Sequence, residues 1–353
     1  MNRPKPTHAE TLALHGQKIA ALATEHLLRT YPAIKDRFHE DPLGHWRDHF
    51  MDRVEELSES LATGEPQIFA AHVKWASQAM AARTLDTTYL DATFLSLRHA
   101  IESVLTDDAS DSALICLDNA LTQFNAGDTS GWESALDPTL PLDRLALRYV
   151  QMVVAGNVWP GMQTVLDALD TGSSVEDLYL KVLLPAQAEV GRLWHLNEIT
   201  VAEEHLVSST TQRLMAVLST HAGRKPDRGK TVIASAVAGN AHDIGIRAIA
   251  YLMEMQGWRT IFLGSDMPRS DLPAAVKFYE ADLVMLSIAL STQLSALKKT
   301  IAEIRAACGT DAKIMVGGNG LRAMPDLWRD LGADGFTENV LDAIELAGHL
   351  TGG

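Results

Sequence analysis

Along the first 130 positions, apolar residues recur at three- and four-residue spacing, the pattern of amphipathic helices. Residues 11–30, 45–62, 67–82 and 90–105 carry it most clearly. The turn-rich run Asn125-Ala126-Gly127-Asp128-Thr129-Ser130-Gly131, followed by Asp137-Pro138-Thr139-Leu140-Pro141, reads as a linker. Residues 142–220 are helical again, interrupted at 170–174 and 196–200, and the charged run 223–229 with Pro226 is a second linker. From Lys230 the period changes. Short apolar runs at 231–237, 260–263, 283–289, 313–316 and 335–337 alternate with helical patterns at 244–255, 270–279, 293–308, 320–331 and 339–350. Such alternation predicts a parallel sheet covered on both faces.

The expected fold is therefore multidomain, α followed by α/β. An all-helical domain spans 1–135 and a four-helix bundle 136–225. A flavodoxin-like, doubly wound, five-stranded parallel sheet occupies 226–353. In that topology the crevice for ligands lies between the first and third strands, at their carboxyl ends.

Composition narrows the function. The 353 residues are 46% hydrophobic and carry a net charge of −15. Phosphate binding relies on Lys and Arg, so this balance argues against direct nucleic-acid binding. Two distant cysteines, Cys116 and Cys308, make no disulfide framework and fit a reducing, cytoplasmic setting. No apolar run approaches 18 residues, so no membrane span is expected.

Candidate chemistry concentrates at Asn240-Ala241-His242-Asp243-Ile244-Gly245. His242 falls in the turn after the first predicted strand, at the crevice, where a neutral imidazole can ligate a metal. Ser287, in Leu286-Ser287-Ile288-Ala289-Leu290, follows the third strand, and Gly317-Gly318 the fourth. This ordered set resembles the cobalamin-binding domains that carry a D-x-H-x-x-G signature. The resemblance implies that His242 is the lower axial ligand of cobalt. It places Ser287 and Gly317-Gly318 along the displaced nucleotide tail and puts Asn240, Asp243 and Gly245 in the same loop. Asn240 stands where the family has Asp. The usual carboxylate orients the ligating imidazole; an amide oxygen can accept the same hydrogen bond but has no charge. Ala289 likewise replaces the Leu of the family's S-x-L element.

A second constellation is Trp194-His195 followed, nine residues after Trp194, by Glu204-His205. It resembles the W-x9-E-H pattern in the helical cap of adenosylcobalamin photoreceptors related to light-dependent repressors. By that resemblance Trp194 packs over the adenosyl group, Glu204 and His205 flank it, and His195 can ligate cobalt once light has broken the Co–C bond.

Eight of the thirteen histidines precede residue 130: His8, His15, His26, His39, His45, His49, His72 and His99. Trp46, Phe50, Trp75, Tyr89 and Phe94 lie among them, and no basic recognition helix is present. Helical sensor, cap and cobalamin domain in this order resemble the photocobilins, which pair cobalamin with a linear tetrapyrrole. That reading implies a globin-like sensor with noncovalent biliverdin contacted by His72 and His99. The plain alternative is a helical dimerisation domain; heme lacks a defined proximal His. The expected function is an adenosylcobalamin light sensor, acting as a light-dependent homo-oligomer on an unidentified downstream protein, with no catalytic output domain. The rival expectation is a corrinoid protein that carries methyl groups for a methyltransferase system.

Overall fold

The computed structural model describes residues 6–37, 41–82, 88–105, 108–123 and 133–352. His39 and the predicted linker 125–131 lie outside the described residues. The chain divides into two compact units, 1–129 and 130–353.

Among the described residues the first unit is built of helices alone. These are α1 (His8–Leu14), α2 (Gly16–Thr30), α3 (Pro42–Thr63), α4 (Gln67–Ala82), α5 (Thr88–Val104) and α6 (Asp108–Gln123), with a short 3-10 turn at Pro32–Arg37. Thr7 and Glu10 form a capping box on α1, and Asp41 with Pro42 starts α3. The run expected as one helix over 11–30 is broken at His15. A Cβ on Gly16 would stand 3.2 Å from Val54 Cγ1, so the absent side chain admits α3 at that corner. Leu12, Ile19, Leu27, Trp46, Phe50, Leu57, Phe69, Leu97 and Leu117 fill the core.

The second unit begins with helices α7 (Pro141–Val154), α8 (Val158–Asp170), α9 (Val175–Leu178), α10 (Leu184–His195) and α11 (Val201–Ser219). A π-helical segment, Tyr179–Leu183, joins α9 to α10, so four helical rods result. Pro185 explains the segment: it lacks an N–H and crowds the carbonyl four residues earlier. The Leu184 N–H reaches five residues back to Tyr179 O instead.

The sheet follows: β1 (Thr231–Val237), β2 (Arg259–Met267), β3 (Leu283–Ser287), β4 (Lys313–Gly317) and β5 (Gly335–Thr337), all parallel, in the order β2-β1-β3-β4-β5. The direction in which successive strands are added reverses between β1 and β3, as expected. Connecting helices are α12 (Ile244–Met255), α13 (Leu272–Tyr279), α14 (Leu294–Cys308) and α15 (Val340–Thr351). Both α12 and α15 cover one sheet face through Ile246, Ala250, Met253, Ala343 and Ala347. The other side of α12 joins the bundle core through Ala248 and Leu252, so bundle and sheet share apolar packing.

Two expectations change. Residues 320–331 are not an α-helix: a 3-10 turn at Asn319–Leu321 is followed by successive turns. Pro325 has no donor and disfavours α geometry at Met324. Contacts to the third residue back replace the helix ladder, as in Leu327 N–H to Met324 O at 3.1 Å. β2 runs beyond the expected 260–263, because Gly264 (φ +84°) and Asp266 (φ +50°) introduce register shifts that hide the strand's period.

Candidate functional site at the carboxyl edge of the sheet

The loop after β1 presents His242, exposed, between two buried neighbours, Asn240 and Asp243. Asn240 Oδ1 accepts the backbone N–H of His242 (3.0 Å), and its Nδ2 donates to Ser287 O (3.0 Å). The amide thus shapes the turn and ties it to the end of β3. One of the two lone pairs on the Asn240 oxygen is thus used by the main chain. A carboxylate could not donate to Ser287 O. Asp243 does not line the crevice. It is 3% exposed, accepts from Gln212 Nε2 on α11 (2.8 Å), and pairs with Arg247 on α12 (2.6 Å).

Two further residues fasten the loop, Gln293 and Asp266. Gln293 takes the backbone N–H groups of Ala289 and Leu290 on its oxygen (2.9 and 3.1 Å) and donates to Gly239 O (3.0 Å). Asp266 accepts the Gly239 N–H (2.7 Å). The loops after β1 and β3 and the end of β2 are therefore locked to one another, and His242 stands on a braced platform.

Beside it opens a cavity of about 260 Å³ lined by His242, Gly245, Ser287, Gly317, Gly318 and Glu338, among others. Five residues singled out in the sequence thus meet on one wall. The glycines serve the protein's own packing. A Cβ on Gly317 would lie 2.8 Å from Thr337 O, and one on Gly318 2.1 Å from Ile288 O and 3.1 Å from Ser287 Oγ.

Trp194 and His195 end α10, while Glu204 and His205 lie in the first turn of α11. The tight turn at 196–200, with Asn197 at φ +59° and a Thr200–Glu203 capping box, brings both halves of the motif to one end of the helix pair. That is the structural meaning of the nine-residue spacing. Trp194 packs against the bundle core. Glu204 pairs with His205 and sits 2.6 Å from the Ser208 hydroxyl, which lies 2.9 Å from Gln187 Oε1. Gln187 Nε2 donates to Thr211 (2.7 Å), which meets Tyr149 OH (2.8 Å). A polar chain thus runs from the exposed His205 to Tyr149, whose hydroxyl burial pushes up to about 12.

Residues 230–345 match the model of a B12 binding domain, and residues 145–219 match a second B12 binding domain model. This is a cobalamin-binding protein. Over 192 residues it is 27% identical to a corrinoid protein of Desulfitobacterium hafniense strain Y51, covering 52% of this chain and 87% of that one. It is 29% identical over 165 residues to the HTH-type transcriptional repressor CarH of Myxococcus xanthus, covering 46% of this chain and 54% of the repressor. The solved structure of the Methanosarcina barkeri monomethylamine corrinoid protein superposes with a TM-score of 0.53 at 22% identity. The match covers 61% of this chain and all of that one, a likeness of fold.

The residues present suit such a group. An exposed imidazole at the crevice and a cavity running past Ser287, Gly317 and Gly318 provide a nitrogen donor and room for a planar tail.

His72 and His99, in the first unit, belong to different clusters. His72 Nδ1 lies 2.6 Å from Glu56 Oε1, beside the buried Arg53–Glu56 pair, and its ring is 5.4 Å from Trp75. His99 is exposed and stacks on His26 at 4.4 Å. Cys116 is buried and its thiol is pushed up by burial, so it offers no reactive thiolate. Among the described residues, no helix is long and apolar enough to cross a membrane.

Proposed function

We propose that the second unit binds adenosylcobalamin with His242 as the lower ligand, and that the protein is a light sensor. One observation carries the reading: His242, Ser287, Gly317 and Gly318 line a single cavity beside the carboxyl ends of β3 and β4. The cobalamin would supply a cobalt–carbon bond that visible light can cleave. The loop ties of Asn240, Gln293 and Asp266 fix the backbone that carries His242. The pairing of Trp194-His195 with Glu204-His205 at one end of α10 and α11 supports an upper site, with His195 as a second nitrogen donor. Similarity to the repressor CarH supports the photoreceptor assignment. We propose further that the signal leaves through a light-dependent homo-oligomer acting on a downstream protein in the cytoplasm. The first unit would add a noncovalent biliverdin site.

A second reading, a methyl carrier for a methyltransferase, is favoured by similarity to the corrinoid protein of Desulfitobacterium hafniense. Absorption spectra of the adenosylcobalamin-loaded protein before and after green light separate the two. The sensor gives a stable spectral change, and His195→Ala gives a different product spectrum. An adenosyl form that survives illumination supports the methyl carrier.

A further inference from the structure

We infer that Gln212 is a positioning residue through which the helical bundle sets the lower-ligand loop. The inference rests on the assignment of His242 as that ligand. Asp243 occupies the N-cap position of α12, yet its side chain makes no capping bond. Each carboxylate oxygen is drawn elsewhere: Oδ1 takes the Gln212 Nε2 proton at 2.8 Å, and Oδ2 pairs with Arg247 at 2.6 Å. Asp243 is 3% exposed, so these bonds form away from water, where a lost partner is costly. Arg247 is fixed in turn, with its guanidinium 4.8 Å above the Phe262 ring of β2.

Gln212 is the donor in this set that belongs to the bundle. The other anchors of the loop, Ser287, Gln293 and Asp266, all come from the sheet domain. His242 therefore sits between Asn240, held by β3, and Asp243, held by α11. Any displacement of α11 withdraws the Gln212 donor, frees Asp243 Oδ1 to turn toward the bare N-terminus of α12, and loosens the residue next to the imidazole. The bundle end that carries Glu204 and His205 lies on the same helix, two turns away, so α11 mechanically joins the upper and lower faces of the site.

Gln212→Met keeps length and apolar volume but removes the donor. Gln212→Arg keeps a donor. Hydrogen exchange of the amides of residues 240–247 in the cobalamin-free protein reads the anchoring itself. About tenfold faster exchange in Gln212→Met, restored in Gln212→Arg, with overall melting little changed, is the expected result. Unchanged exchange overturns the inference. Cobalamin affinity and visible spectrum read the consequence: about a tenfold loss of affinity in Gln212→Met is expected from a displaced outer-shell contact. Faster exchange with unchanged affinity and spectrum overturns the coupling to the ligand. If wild-type protein takes up no cobalamin, the proposed function falls, while faster exchange in Gln212→Met still supports the anchoring of the loop by the bundle.

Discussion

Gly318 admits no side chain. Its φ of +103° disfavours any L-residue, and a Cβ would meet Ile288 O at 2.1 Å. Gly318→Ala should lower unfolding stability by about 2–3 kcal/mol or more, read by urea denaturation. A change within about 0.5 kcal/mol would show that the β3–β4 crevice yields easily. Asn240 is fully buried and uses both ends of its amide, so Asn240→Asp removes the donor to Ser287 O and buries a charge. The cofactor-free protein should lose about 1–3 kcal/mol. Equal stability would mean that the loop has another way to satisfy that carbonyl. Single residues show how far sequence reading reached. The positions of His242, Ser287 and Gly317-Gly318 followed from strand order. The role of Asn240 did not, because a motif records identity and not which atoms its amide meets. Gln293 and Gln212 carry no local pattern at all; only the folded chain brings them to the loop.

Among the elements, the ends of α10 and α11 matter most. The motif spacing is legible because a five-residue turn returns the chain, and Thr200 with Glu203 marks the restart. The failure at 320–331 is equally instructive, since apolar spacing there mimics a helix that Pro325 forbids. In the first unit, α3 places His49 between Trp46 and Phe50, near Arg53, His72 and His45. Burial first, then those cationic neighbours, holds its imidazole well below the ordinary 6.5. The sign follows from proton counting. Below pH 6.5 the unfolded chain takes up a proton that the folded His49 resists, so stability is full above 6.5 and declines as pH falls below it. Denaturation midpoints between pH 7.5 and 5.5 should fall, and His49→Phe should flatten the trend. An unchanged slope in that variant would assign the pH dependence to other groups, such as His72, which burial also lowers against the pull of Glu56.

At the scale of the whole molecule, two units with separate cores divide the work. The second was readable in outline because strand and helix periods alternate cleanly from β1 to α15, and parallel strands bury continuous apolar runs. The first was readable only as helices: its histidines are spread over clusters that amphipathic spacing cannot tell apart, with His72 on Glu56 and His99 on His26. If it holds biliverdin, addition of the pigment to the full chain should give a long-wavelength band unlike that of free pigment, altered in His72→Ala. No band would leave the unit as packing or dimerisation structure. Cobalamin binding through His242 is the claim on which the rest depends. Titration of wild type and His242→Ala with adenosylcobalamin, followed by visible absorption, tests it most directly. The variant should lose the wild-type spectrum and weaken by more than the roughly 10–100-fold that loss of an outer-shell partner costs. Wild-type affinity and spectrum in His242→Ala would contradict it.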